Sequence, residues 1–220
     1  MLHSYSYLFM LAQGAPLPIS TGRRRTNHDS QWLLEIAVAE FNRRGYDGTS
    51  MSQVARAAGI TKSTIYHHFG SRELLLRAAL ERALDALFAV LDQEPSEFDG
   101  EGETLRHLIA DTAATLVAHL PYVTLLLRVR GNSPTELWAL ERRREFDRQV
   151  AELVAKAARV GEVRGEIDPG LATRLIFGMV NSISEWYRTG REQPSTHLAD
   201  TVPSLAMDGL LPRPTAGPSE

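Results

Sequence analysis

The chain has no cysteine among its 220 residues. That excludes disulfides, thiolate zinc sites, iron–sulfur clusters and thiol redox sensing, and it fits a reducing cytoplasm. No apolar run approaches the roughly 18 residues of a membrane-spanning helix, so no membrane partner is expected. The opening stretch, MLHSYSYLFMLAQGA, is apolar only from Tyr7 to Ala12 and has no Lys or Arg before that segment, which argues against a signal peptide. Residues 1–22 read as a flexible extension, and the Pro-rich segment 211–220 as a flexible tail. Enzyme signatures are missing too: there is no G-x-x-x-x-G-K-[ST], no G-x-S-x-G and no H-E-x-x-H. His107 and His119 have no partner at i, i+4, and the adjacent His67 and His68 turn to different faces of a helix. Neither a metal site nor a cofactor is expected.

Sustained period-two alternation is absent as well, so the chain is expected to be all-α with about nine helices. The first runs from Asp29 to Asn42, with Trp32, Leu33, Ile36, Ala37, Ala39, Glu40 and Phe41 in one broad stripe that Gly45 ends. Ser50 and Gln53 form a capping box for a short second helix, and Thr61 caps a third. A long helix from Ser71 to Leu91 follows, with Leu74, Leu75, Ala78, Leu84, Leu87 and Leu91 pointing inward. After an acidic loop over 94–102 come helices at Glu103–Leu120, Pro121–Arg130, Pro134–Val160, Pro169–Arg188 and Ser195–Leu210, with Pro203 kinking or breaking the last.

Charge divides the chain. Residues 1–72 carry eight Lys/Arg against four Asp/Glu, a net of +4, whereas 73–220 carry sixteen against twenty-three, a net of -7. Between Thr49 and Arg72 there are three basic residues and no acid. A basic head on an acidic body is the pattern of a molecule whose head alone meets a polyanion.

That head holds the stretch TSMSQVARAAGITKSTIYHHFGSRELL, Thr49–Leu75. Ala55, Ala57 and Ala58 let a second helix cross closely, Gly59 supplies a positive-φ turn, and Ile60 closes the small core, which together make a helix-turn-helix. The second helix exposes Lys62, Ser63, Thr64, Tyr66 and His67, a surface able to enter a major groove. The order Thr49, Gln53-Val54-Ala55, Ala58-Gly59-Ile60, Thr61 through Phe69 and Ser71-Arg72-Glu73-Leu74 resembles the TetR family of bacterial transcriptional repressors. The resemblance implies that Thr49, Tyr66 and Arg72 hold phosphates and that Lys62, Ser63, Thr64 and His67 lie in or beside the groove of a double-stranded operator. Arg72 departs from the family's usual lysine, an exchange that a phosphate contact survives. Arg23, Arg24 and Arg25 form either a basic arm along the DNA or a solvated run. The implied division is a DNA-binding domain at 23–75 and a ligand-binding and dimerisation domain at 76–210.

In the body, Pro169–Arg188 is apolar over much of its circumference, with Leu175, Gly178, Met179 and Ser182 suited to meet a second copy. The family forms its dimer from the last two helices, and one short recognition helix alone carries too little specificity. Gly178-Met179-Val180-Asn181 followed by Trp186-Tyr187-Arg188 is similar to TetR-type regulators that respond to acyl-coenzyme A thioesters. A largely apolar ligand, with an acyl-CoA as the lead, is therefore expected among Leu116, Leu120, Val123, Leu127, Trp138, Phe177 and Trp186. The arginines 128, 130, 142, 143, 144 and 148 suit either an anion-tolerant mouth or a solvated face paired as Glu141–Arg144, Glu145–Arg148 and Arg143–Asp147. The leading expectation is a homodimeric, ligand-responsive repressor. The alternative is a constitutive DNA-binding regulator whose body docks a protein, and an apolar cavity within 103–188 separates the two.

Overall fold

The computed structural model describes residues 27–92, 100–188 and 195–211. The extension 1–22, the arginines 23–25, and most of the acidic segment 94–102 and of the tail 211–220 lie outside the described residues. Among the described residues there are nine helices and no strand.

Helix α1 (Asn27–Arg44) buries Leu33, Ile36, Ala37, Val38 and Phe41 and stops where Gly45 takes φ +78°. Helix α2 (Met51–Ala57) starts on the expected capping box: the Gln53 N–H donates to the Ser50 hydroxyl at 3.3 Å, and the Ser50 N–H donates to the Gln53 side chain at 2.7 Å. Gly59 turns the chain at φ +63°, and the Ile60 N–H closes the turn on the Ala55 carbonyl at 3.0 Å. A β-carbon at Gly59 would meet no neighbour, so the glycine is required by its backbone angle alone, worth about 1 kcal/mol. Helix α3 (Lys62–Phe69) is capped by Thr61, and Ile65, wholly buried, fixes it to the head's core.

Helix α4 (Arg72–Leu91), capped by Ser71, runs from the head into the body. Its buried face is Leu75, Leu76, Ala79, Leu80, Ala83 and Leu84. Leu74, expected inside, is 56% exposed instead. Three leucines in a row let the periodicity be drawn in two phases, and packing on both head and body selects the later one.

The body is α5 (Glu101–Ala118), α6 (Leu120–Arg128), α7 (Pro134–Arg159), α8 (Pro169–Trp186) and α9 (Ser195–Leu210). Their ends fall within two residues of the expected boundaries. Helices α5 and α6 meet at His119 with a bend of 98°, and no single helix among the described residues is long and apolar enough to cross a membrane. Helix α9 lies along α5, α8 along α7, and α6 is wedged between α1 and α4. Pro203 sits inside α9 without ending it.

Candidate nucleic-acid interface and body pocket

The surface expected to meet DNA is the exposed side of α3. Ile65 points inward, which turns Lys62, Ser63, Tyr66 and His67 to solvent, with Tyr66 42% exposed and the Lys62 ammonium 5.6 Å from its ring centroid. Thr64 is half-buried and its hydroxyl lies 2.9 Å from that of the capping Thr61. His68 is half-buried and packs edge-on against His67. Arg56, exposed on α2, adds a cation on the same head. Sequence reasoning counted it in the acid-free stretch but gave it no role.

Two of the expected phosphate contacts are used differently. Thr49 is fully buried; its hydroxyl lies 2.7 Å from the Gly45 carbonyl and 3.3 Å from that of Glu40, and its N–H donates to Tyr46. Arg72 donates to the carbonyls of Thr49 at 2.9 Å and Tyr46 at 3.3 Å, and its guanidinium lies 4.3 Å from the Tyr46 ring centroid. Both side chains therefore brace the α1–α2 connection against the start of α4. The Thr49 hydroxyl and one terminal nitrogen of Arg72 are thus engaged inside the head, while the half-buried Arg72 guanidinium keeps further N–H donors.

The body holds a small pocket that is partly open to solvent. Helix α4 contributes Leu84 and Leu87; α5, Leu116; α6, Val123, Leu126 and Leu127; α7, Arg143, Phe146 and Asp147; and α8, Phe177 and Asn181. Of the seven expected ligand residues, Leu116, Val123, Leu127 and Phe177 meet here. Leu120, Trp138 and Trp186 do not. Trp138 is covered by Arg77, whose guanidinium stands 3.2 Å from the ring centroid, and Trp186 is 51% exposed at the end of α8. Leu84, Leu87 and Phe146 were missed because α4 and α7 present ordinary amphipathic stripes, and only their convergence marks them as walls.

The pocket's helices also grip the head. Asn42, in the last turn of α1, donates its side-chain amide to the Pro121 carbonyl at 2.7 Å, and Arg128 donates to the Asn42 carbonyl at 2.7 Å. Both ends of α6 thus hold one residue of the head. Beside them Tyr122 is buried, and that burial pushes its phenol up to about 12. Across the junction, the Thr135 hydroxyl of α7 donates to the Glu73 carboxylate of α4 at 3.0 Å. On the outer side of α8, Leu171 (48% exposed), Leu175 (65%), Gly178, Ser182 and Trp186 form one exposed line, and Met179 is half-buried beside it. Among the described residues no three His, Asp or Glu side chains come together as a metal site.

Comparison with known proteins agrees with this anatomy. Residues 33–79 match the family of bacterial regulatory proteins known as the tetR family, and residues 99–210 match the tetracyclin repressor-like C-terminal domain. The HTH-type transcriptional repressor KstR2 of Rhodococcus jostii (strain RHA1) is 28% identical over 181 residues, covering 81% of this chain and 89% of that protein. A TetR transcriptional regulator family member from Streptomyces coelicolor A3 is 49% identical, with a TM-score of 0.75 over 87% of this chain and 94% of that one. AibR, solved in complex with isovaleryl coenzyme A and operator DNA, shares the fold at 24% identity and a TM-score of 0.67, over 80% of this chain and 96% of its own. Head and body are thus matched separately, in the order in which the helices lie, and the chain belongs to the tetR family of bacterial regulatory proteins, which are DNA-binding transcriptional regulators and not enzymes.

Proposed function

We propose that this regulator is a homodimeric repressor that binds a palindromic operator and releases it when a small, largely apolar ligand, with an acyl-CoA thioester as the lead, enters the body pocket. The observation that carries the reading is that the pocket's walls include α4 and α6, the same two helices that brace the head through Arg72 and through Asn42. A ligand between Leu84 and Leu87 on one side and Val123, Leu126 and Leu127 on the other bears on both. The two recognition helices of a dimer must stand about 34–36 Å apart, or a multiple of that, to enter successive major grooves. A ligand that favours another spacing by roughly a few kcal/mol empties the operator. A constitutive regulator that docks a protein has no need of such a pocket, which weighs against that alternative.

In this reading residues 23–75 form the DNA-binding unit and 76–210 the sensing and pairing unit. Lys62, Ser63, Thr64, Tyr66 and His67 meet DNA, and the line Leu175, Gly178 and Ser182, with Met179, meets the partner. AibR's isovaleryl coenzyme A supports the ligand class. Footprinting on the DNA upstream of the gene, with and without isovaleryl and longer acyl-CoA thioesters, tests the whole. A symmetric footprint that fades with thioester is expected; a footprint that no thioester alters removes the ligand class.

The head is tested separately. Lys62→Ala is expected to weaken operator binding across sequences and to reduce the log–log salt slope by about one, because one phosphate contact releases about one counterion. Tyr66→Phe should weaken binding as well. Unchanged affinity in both variants would take the recognition surface away from α3.

A further inference from the structure

We propose that the pocket is shaped for an apolar chain that ends in an acceptor oxygen, carboxylate or thioester, and that Arg143 on α7, with Asn181 facing it from α8, receives that end. This rests on reading the body as a ligand sensor. It goes further by assigning the residue that selects the ligand.

The four arginines that cluster on α7 differ in what they touch. Arg144 pairs with Glu141 at 3.2 Å, Arg148 pairs with Glu145, and Arg142 lies over the Phe88 ring at 4.0 Å from its centroid. Arg143 lines the pocket, half-buried, and makes neither a hydrogen bond nor an ion pair within 4.0 Å to another described residue. The Asn181 side chain is likewise without a hydrogen-bond partner among the described residues. Asp147, one turn beyond Arg143 and also on the pocket's wall, is the opposite charge that acts on it, and it is shared with Arg174. The Arg143–Asp147 pair expected from the spacing is thus a long-range attraction rather than a contact.

Burial shifts both groups toward neutrality, lowering the Arg143 guanidinium and raising the Asp147 carboxyl, as it does where a charge has lost water without gaining a close partner. Arg143 and Asp147 are the two charged side chains among the pocket's walls, and of the two Arg143 is the less exposed. Apolar side chains line the rest. A neutral hydrocarbon would strip Arg143 of water and return nothing, and a cation placed against Arg143 would meet a like charge. An oxyanion or a strongly polarised carbonyl restores the lost hydrogen bonds, and a charge-assisted pair in a half-buried site is among the stronger ones.

Isothermal titration of the full-length protein with octanoate, octanoyl coenzyme A, octanol and octylamine tests this. Octanoate or octanoyl coenzyme A is expected to bind at least about ten-fold more tightly than octanol, with octylamine weakest. Arg143→Met keeps the apolar stem and removes the charge. It should cut affinity for the oxygen-ended probe by about ten- to a hundred-fold, leave octanol unchanged or tighter, and leave the melting temperature unchanged or raised. Arg143→Lys should recover part of the loss. Tighter octanoate identifies the source as the free acid, and tighter octanoyl coenzyme A as the thioester. Equal binding of acid and alcohol, no effect of Arg143→Met, or no binding of any probe overturns the assignment. If a probe binds through Arg143 without loosening the operator complex, the inducer reading fails while the role of Arg143 stands.

Discussion

Gly178→Leu is expected to turn the protein into a monomer and to lower operator affinity by about 10²- to 10⁴-fold, the avidity carried by a second linked head. The sign of its effect is what makes the variant informative. A β-carbon built at Gly178 meets nothing within 4 Å, and the residue lies in the interior of α8 on its exposed line. Within a single chain the substitution is therefore harmless. It should even stabilise, because glycine costs a helix interior about 1 kcal/mol relative to a good helix former. Only a second copy packed against that line makes the side chain an intruder, at about 1–3 kcal/mol in each subunit. Sedimentation velocity with a thermal melt separates the cases. A variant that sediments like the wild type and melts higher would count against pairing through α8, as would a wild-type monomer at micromolar concentration.

Glu136→Ala should produce the largest loss of stability, about 3 kcal/mol, or a fall of about 6–12 °C in melting temperature. Glu136 is 4% exposed, and one carboxylate oxygen receives the backbone N–H groups of Arg130 at 2.8 Å, Gly131 at 2.8 Å and Asn132 at 3.1 Å. Alanine leaves those donors without an acceptor and frees the turn between α6 and α7. The next residue, Thr135, is the one that reaches Glu73 on α4. Loosening the turn therefore also loosens a join between pocket and head. Glu136→Gln retains a single acceptor oxygen and should cost about half as much. An unchanged melting curve for Glu136→Ala would show that water replaces the carboxylate without loss.

Much of the head was legible because its signals are local. Ser50 with Gln53, Thr61, Gly59 and Ser71 each announce a helix end through chemistry that operates within four residues. The contacts of Arg72 were not legible, because its partners lie across the head: it reaches carbonyls 23 and 26 residues away. The body shows the same division. Helix ends at Pro134 and Pro169 could be read from proline at the first turn. The pocket could be read only in half, since a bulky apolar residue in a long helix gives no sign of whether it faces a void or a neighbour. Trp138 faces Arg77, Trp186 faces outward, and Phe177 faces the pocket. Of the paired face read from the spacing, Glu141–Arg144 and Glu145–Arg148 are formed, whereas Arg143 lines the pocket and makes no ion pair with Asp147.

The packing of α9 along α5 has a consequence for how the chain is made. Leu198, Val202, Ala206, Met207 and Leu210 of α9 are buried in the finished body. Helix α5 ends at residue 118 and α9 begins at residue 195, so 76 residues separate them. At a synthesis rate of about 5–20 residues per second, the covering helix is made about 4–15 s after the surface it covers. All four helices from α1 to α4 are in place before that interval starts. A nascent chain therefore carries a complete DNA-binding surface on a body whose apolar face is still bare. Chaperone binding during synthesis should concentrate on α5, and chains that terminate before residue 195 should aggregate rather than persist as truncated competitors for the operator.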